Sequence, residues 1–561
     1  MSKKVYGIDL GTTNSCIATL DNSSNPKIIS DEMNASDTLA SAIHVTKDNK
    51  FLVGAAAKEE AVTNPDTTFQ FWKRYIGRTD IPNMPTYQAN GKSYDPVSLS
   101  QIVLEKIAEY AKASGETVED VVITCPAYFD FGQREATKQA GQLAGLNVLA
   151  VINEPTAAAL YYCANRFAEQ NTKVLVYDLG GGTFDVSIIQ VRLVDGVRHV
   201  DVLATDGDFM LGGYDWDMIL YNLILEKYAE QYGISVDDMD DELKREFRGL
   251  TEGTKQKLSR KDNVNIRLSY EGDRVQVEVT REEFEARTRA KLDQSIKLMD
   301  KALKDAGCSD DDLDIVLMVG GSTLMPQVQN MLYGRFGDKV QFNEPALAVA
   351  KGAALTAGMM IDDSYQGGGN NRTDKGGTPE LPTPGGDGDS VTTKTTNIVL
   401  HDVSPRSFGL GILDENGEYI CDNIVKMDEV IPCDRNRVYA TPRDNMRNIR
   451  LRLFQSKSKE EWLKPCVDSL GEEQHVDPAL DMKVCDMLTL EIPEGFNLPT
   501  GTEVFVDFSI DEACTVRIRA TVPDANNTTK DADFSFYKKL TQEDLDQAAE
   551  DRKNRVFVDG D

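Results

Sequence analysis

The strongest constraint on this chain is a turn written twice. Residues 5–15 read VYGIDLGTTNS and residues 174–185 read VLVYDLGGGTFD. In each, a short apolar run rich in β-formers enters an Asp and leaves through a Gly/Thr turn, so Val5–Ile8 and Val174–Tyr177 are expected as strand ends. Glycine tolerates the positive φ angles of a tight turn and lets backbone N–H groups close on an anion. Asp9 and Asp178 stand just before the turns, where a carboxylate can hold magnesium through water. One copy alone fits an ordinary hairpin. Two matching copies point to a duplicated domain with one half on each side of a polyphosphate. The commoner phosphate loops are absent. There is no G-x-x-x-x-G-K-[ST] and no strand followed by G-x-G-x-x-G, which argues against a P-loop NTPase and a dinucleotide-binding Rossmann unit.

A chain of 561 residues should hold several domains. Its net charge of −31 would repel nucleic acid and anionic lipid, so neither is an expected partner, and the acidity reads as surface solvation. The start, MSKK, leads at once into the first strand without a long apolar core, so no signal peptide or membrane span is expected. The nine cysteines are scattered with no C-x-x-C pair, and there are only four histidines. A zinc site is therefore not expected, and the thiols read as buried small hydrophobes in a reducing cytoplasm.

Residues 1–362 alternate strand-like and helical stretches, as an α/β domain should. Expected strands are Asp120–Thr124, Val174–Tyr177 and Ile315–Val319; expected helices are Leu99–Ala113, Gln133–Ala144, Asp240–Leu258 and Arg281–Ala306. Residues 363–396 are Gly/Pro-rich and read as a flexible linker, whose 26-residue core would hold its ends roughly 25–30 Å apart as a coil. Residues 397–530 show short alternating runs between turn signals and read as an all-β sandwich, followed over 531–561 by a short helical segment centred on 541–555.

Further motifs surround the twin turns: INEPTAAA at 152–159, WKRYIGR at 72–78, and IVLMVGGSTLMP at 315–326. Together these resemble the nucleotide-binding domain of the seventy-kilodalton heat-shock chaperones of the DnaK type, within the actin/sugar-kinase superfamily, over residues 3–360. Asn14 resembles the bacterial branch. The resemblance implies a two-lobed actin-like, RNase H-like ATPase. Gly11, Thr12, Thr13 and Asn14 would hold ATP phosphates from one lobe, and Gly180, Gly181, Gly182 and Thr183 from the other. Asp9, Glu154 and Asp178 would position Mg²⁺ through its waters, and K⁺ is admitted as a second ion. Lys73 would orient the attacking water, with Glu154, Asp178 and Thr183 completing the catalytic set. Phosphoryl transfer needs mainly positioning and charge stabilisation, which such a set can supply. Adenosine would lie against Gly213, Glu252, Lys255, Ser259, Gly320, Gly321 and Ser322. Gln256 and Leu324 replace arginines common in the family, so a weaker adenine grip and faster exchange are expected. Tyr214 replaces a usual acid.

The β region resembles the family's peptide-binding half through NIVLHDVSPRSFG (397–409), residues 424–455 and IDEACTVRIRA (510–520). Such a module takes extended apolar peptide by main-chain hydrogen bonds and a side-chain pocket. By resemblance Tyr439 and Ile449 line the pocket with Cys421 and Pro442 arching over it; sandwich core is the alternative for Tyr439 and Ile449. Only 541–555 resembles the family's lid, so fast peptide release is expected. His401 interrupts the apolar linker and should weaken its docking. Pro126, Arg134 and Asp402 match the family's interdomain switch. Implied partners are unfolded polypeptide, a nucleotide-exchange factor and a J-domain co-chaperone, although Ala150 replaces the arginine that usually meets the last. The implied activity is ATP hydrolysis controlling peptide binding in a bacterial cytoplasm. The alternatives are a nucleotide-dependent scaffold with little turnover and a sugar kinase or actin relative.

Overall fold

The protein is represented by a computed structural model that describes residues 4–32, 35–78, 81, 84–164, 171–194, 197–270, 272–342, 344–361, 398–473, 480–511, 515–534 and 536–559. The Gly/Pro-rich linker expectation and Cys514 lie outside these residues.

The duplication seen in the motifs is a duplication of sheet topology. In the first lobe, strand Val5–Asp9 pairs antiparallel with Asn14–Leu20 and parallel with Asp120–Cys125, which pairs parallel with Asn147–Asn153. In the second, Thr172–Leu179 pairs antiparallel with Phe184–Val194 and parallel with Ile315–Val319, which pairs parallel with Val340–Phe342. Asp9 and Asp178 thus occupy equivalent ends of equivalent central strands. These strands read as nearly continuous apolar runs because both faces are covered, as parallel sheets require.

Helices Glu154–Ala164 and Ala348–Ile361 pack on each other with apolar residues of both sheets. Their contact depends on two glycines. A Cβ on Gly352 would fall 1.9 Å from the Ala157 carbonyl oxygen, and one on Gly7 would fall 2.0 Å from the Ala354 nitrogen. The seam between the lobes is therefore backbone against backbone.

The long helices follow the sequence signals closely. Pro96–Ala113 starts at the Asp95 cap, Phe131–Leu143 at Asp130 and Arg281–Asp305 at Thr280, each a reciprocal capping box. Among the described residues no helix is long and apolar enough to cross a membrane, and eight cysteines are free thiols.

Residues 407–534 form two antiparallel sheets. One holds five strands, with Ser407–Leu413 and Asn448–Ser456 paired near its centre; the other holds Cys433–Ala440, Glu503–Ile510, Val516–Val522 and Thr528–Phe534. Strict alternation of burial along Glu503–Ile510 and Val516–Val522 turns Val506, Phe508 and Ile518 inward against Phe408, Leu451 and Leu453.

This module sits against the first lobe. The Phe131 ring meets Phe408 edge-on at 4.6 Å and Phe536 at 5.4 Å. The Glu135 carboxylate accepts the backbone N–H groups of Phe536 and Tyr537. The final helix Gln542–Asn554 lies on Phe131–Leu143, and Phe557–Val558 adds a parallel strand beside Phe51–Val53. A part-buried Arg555–Glu105 ion pair anchors this end. In this structure the segment resembling the start of a lid therefore covers the first lobe.

Candidate functional site

The two turns press directly against each other. A Cβ at Gly181 would lie 2.1 Å from Thr13 Oγ1, one at Gly182 would lie 2.3 Å from Thr12 Cγ2, and one at Gly11 would lie 1.9 Å from the Asn14 carbonyl oxygen. None of Gly11, Gly180, Gly181 and Gly182 has a positive φ. The expectation that these turns need left-handed glycine is thus corrected: at Gly181 and Gly182 the side chains of Thr13 and Thr12, and at Gly11 the Asn14 carbonyl, leave no room for a Cβ, while at Gly180 one would meet Thr183 only at 3.5 Å. Only the third turn uses the left-handed region, at Gly320 with φ +82°, where a Cβ would also meet the Leu179 carbonyl oxygen at 2.3 Å.

The third turn is tied to the second. Ser322 Oγ donates to the Gly180 carbonyl at 2.9 Å, and Gly213 N–H donates to the same carbonyl at 3.0 Å. Between the lobes lies a cleft of about 540 Å³ lined by Asp9, Gly11–Asn14, Lys73, Glu154, Asp178, Gly180, Gly181, Thr183, Glu252, Lys255, Ser259 and Gly320–Ser322. Gly182 and Gly213 stand behind this lining, Gly182 against Thr12 and Gly213 beneath Lys255.

At the floor, Lys73 Nζ donates to Glu154 Oε1 at 2.6 Å, with both side chains buried. Around them stand Asp9, Asp178 and Asp185. Four carboxylates face one ammonium, and the electrostatics follow from that shortage of positive charge. Burial, then repulsion from Glu154, pushes Asp9 up to about 7, with partial relief from Lys73 and Thr124. Burial, then Glu154, Asp185 and Asp9, pushes Asp178 well above the carboxylate range. Burial alone would lower Lys73, but the charges of Glu154 and Asp9 outweigh it and hold the ammonium above its ordinary range. A hard divalent cation fits this donor set, because it would satisfy buried carboxylates that otherwise hold protons.

At the end expected to hold adenosine, the charged side chains are paired. Lys255 Nζ is held by Asp217 at 2.9 Å and by the Gly213 carbonyl at 3.0 Å. Glu252 pairs with Lys58. Gln256 and the exposed Leu324 line the cleft, and so does Arg260, four residues beyond Gln256. A guanidinium therefore also borders the cleft, beside the Gln256 and Leu324 that stand where the family commonly has arginines. Its sequence signal is its place directly after Ser259, already assigned to this end.

From Glu154 a hydrogen-bonded path runs to the linker. The neighbouring Asn153 donates through Nδ2 to both carboxylate oxygens of Asp402 at 2.8 Å. Arg134 donates to Asn153, to the Ala127 carbonyl at 2.9 Å and to the Phe129 carbonyl at 3.1 Å. Asp185 accepts the Ala127 N–H, next to Pro126, at 2.8 Å. Burial raises Asp402 and Arg134 partly offsets it. Asn153 and Asp185 were not singled out from sequence, although both stand inside quoted motifs, INEPT and GGGTFD.

The linker strand Ile398–Val403 is docked. It pairs parallel with Val197–Asp208, from Arg198↔Ile398 to Asp201↔His401, and carries Val430–Ile431 on its other edge. His401 was expected to weaken this docking. Instead its Nδ1 lies 2.6 Å from Asp201 Oδ1, so the polar side chain finds a partner on the strand it joins. Ala150 lies buried on Asn147–Asn153.

The four groove residues do not share one surface. Ile449 is sandwich core and Tyr439 packs at that core's edge, its hydroxyl donating to Asp422 Oδ2 at 2.7 Å. Cys421 lies in a separate cluster with Phe454 and Leu463, while Pro442 is exposed. The expected arch of Cys421 over Ile449 is thus corrected: strand pairing sends Cys421 into that separate cluster.

A family model described as Hsp70 protein matches residues 5–366. The chain is 35% identical over 485 residues to the chaperone protein DnaK of Stenotrophomonas maltophilia (strain R551-3), covering 82% of this chain and 70% of that relative.

Proposed function

This chain belongs to the Hsp70 family, and from that premise we propose that it hydrolyses ATP to ADP and phosphate and uses the cycle to control its hold on extended apolar segments of unfolded proteins. The observation that carries the reading is the buried Lys73–Glu154 pair, set between two mutually pressed Gly/Thr turns and one residue from the path to Asp402. In this reading Gly11–Asn14 and Gly180–Thr183 orient the terminal phosphates. Lys73 positions the attacking water and stabilises charge on the transferred phosphoryl group. Asp9, Glu154 and Asp178 would hold Mg²⁺ through water, and that ion, when bound, supplies charge neutralisation at the phosphates. Adenosine lies toward Glu252, Ser259, Gly321 and Ser322, with Arg260 in reach of the base.

Movement at Glu154 reaches the linker through Asn153, and the β module follows because its Val430–Ile431 strand is seated on the linker. Coupling of this kind is reciprocal in binding energy, so peptide should in turn shift the nucleotide site. A partner J-domain and an exchange factor belong to the same reading. The test is steady-state ATP turnover with and without a saturating extended apolar peptide. Turnover should rise with peptide. Turnover that is measurable but indifferent to peptide would leave an uncoupled ATPase, and none at all would leave a nucleotide-dependent scaffold.

A further inference from the structure

Two of the chain's four histidines meet where the linker joins the ATPase sheet. His199 and Asp201 are two residues apart on strand Val197–Asp208 and so project from one face. The parallel register sets His401 of the linker beside Asp201. One imidazole nitrogen from each histidine and one Asp201 oxygen all lie within 4.8 Å of one another. The two rings stack with centroids 5.8 Å apart and 27° between their planes. All three side chains are half-buried.

We propose that His199, Asp201 and His401 bind a zinc-class divalent ion that fastens the linker strand to the ATPase sheet. Two imidazoles and one carboxylate form a donor set suited to Zn²⁺, Co²⁺ or Ni²⁺, with water completing the shell; Mg²⁺ and Ca²⁺ call for oxygen donors. Bonds of about 2.0–2.1 Å place tetrahedral donors about 3.3 Å apart, so binding would draw these three atoms closer than their present spacing of up to 4.8 Å. Arg192, from the next strand, holds Asp201 Oδ2 at 2.6 Å and leaves Oδ1 turned toward the imidazoles. That guanidinium orients the carboxylate and also moderates cation affinity by its own charge. On binding, the ion replaces the His401–Asp201 hydrogen bond, and the imidazole coordinates in its neutral form.

The site is split between linker and sheet, so only the docked strand assembles it. A ligand that binds one of two states draws the population to that state. The ion therefore acts as a latch on the docked linker. That ATP and the ion favour each other's binding is a further step, and it rests on the coupling proposed above.

The test uses the full chain without nucleotide, titrated with Co²⁺ and then Zn²⁺. Cobalt d–d absorption reads stoichiometry and geometry, and amide hydrogen exchange over 398–403 reads docking. One ion per chain and slower exchange in that strand are expected. His401→Leu and His199→Gln should each weaken binding by more than about tenfold, since loss of even an outer-shell group costs about 10–100-fold. His199→Gln keeps the His401–Asp201 pair, so it separates loss of the ion from loss of docking. Absence of saturable binding, or binding unchanged in both variants and hence borne by thiols elsewhere, overturns the proposal. If the ion binds and protects the strand while peptide leaves ATP turnover unmoved, the latch stands and the coupled-chaperone reading fails. If ATP protects the strand and Co²⁺ does not bind, the latch fails and that reading stands.

Discussion

The nucleotide cleft and the β module were both read from short motifs, and the structure treats them differently. In the cleft the motif residues converge on one 540 Å³ space, or stand directly behind it. In the β module four residues named for one groove fall into a core, a core edge, a separate cluster and open surface. The difference lies in what fixes each position. The cleft is set by contacts so close that an added side chain would collide; a Cβ on Gly181, for example, would fall 2.1 Å from Thr13 Oγ1. In a sandwich, position depends on strand parity, and one extra residue turns every later side chain to the other face. The β module has such shifts between Phe408 and Gly409 and between Leu453 and Phe454.

The largest effect should come from the cleft floor. Lys73→Ala removes the one ammonium among four carboxylates and should lower single-turnover hydrolysis of pre-bound ATP by about 10³-fold, or about 4 kcal/mol. Counting only molecules that already hold ATP separates chemistry from folding. A rate unchanged by this substitution would break the comparison, because the cleft would then be a binding site alone.

Next is Ile449→Ala, the matching change in the β module. As a buried sandwich residue, Ile449 should cost about 3 kcal/mol of β-module stability when truncated. Denaturant unfolding followed by hydrogen exchange over 448–456 would show it. A loss of peptide affinity with unchanged stability would return Ile449 to a groove.

Much of the first lobe pair was legible in sequence because its signals are local. Capping residues mark the helix starts, and continuous apolar runs mark the strands buried on both faces. Asp9 and Asp178 stood out because each adjoins a Gly/Thr turn, and Glu154 because it lies in INEPTAAA. Asn153 and Asp185 were missed because their roles come from partners 249 and 58 residues away, Asp402 and Ala127. Arg260 was missed for a simpler reason: a solvated basic residue after a helix looks ordinary until the cleft wall is seen. The pairing of His401 with Asp201 across 200 residues has no local signature, so a residue read as a defect in the linker is one of its contacts.

Gly181→Ala tests the close-contact half of the comparison. Its Cβ cannot be placed without moving Thr13, so the two turns must part. A displacement of this kind should reduce turnover by about 10²-fold while leaving global unfolding nearly unchanged. Full activity would mean that the turns are not held in contact during catalysis.

Charge at the floor gives a smaller, pH-dependent effect. Asp9 has its carboxyl raised from 3.8 to about 7, so the folded protein binds its proton more tightly than the unfolded chain. The contribution to stability is therefore present at low pH and is lost as pH rises toward about 7 in the metal-free protein. Mg²⁺ must displace that proton, so this carboxyl alone should make binding about tenfold tighter at about pH 8 than at about pH 6, and the raised Asp178 should steepen the profile further. Calorimetric titration of nucleotide-free protein would measure this, and a flat profile would remove Asp9 from the ion's surroundings.

The smallest effect concerns a glycine of the opposite kind. Gly253 lies inside helix Asp241–Leu258, in the same TEGTKQKLS motif as Glu252 and Lys255. A Cβ there would meet nothing within 4 Å, and its φ is not in the left-handed region. Gly253→Ala should therefore stabilise the helix by about 0.5–1 kcal/mol and leave ATP turnover unchanged. Paired with Gly181→Ala, it asks whether contact geometry, rather than membership of a motif, decides which glycines the cleft requires. A destabilised or inactive Gly253→Ala protein would mean that the helix closes on the nucleotide at that point, and that the open space beside Gly253 belongs to one state of the cleft only.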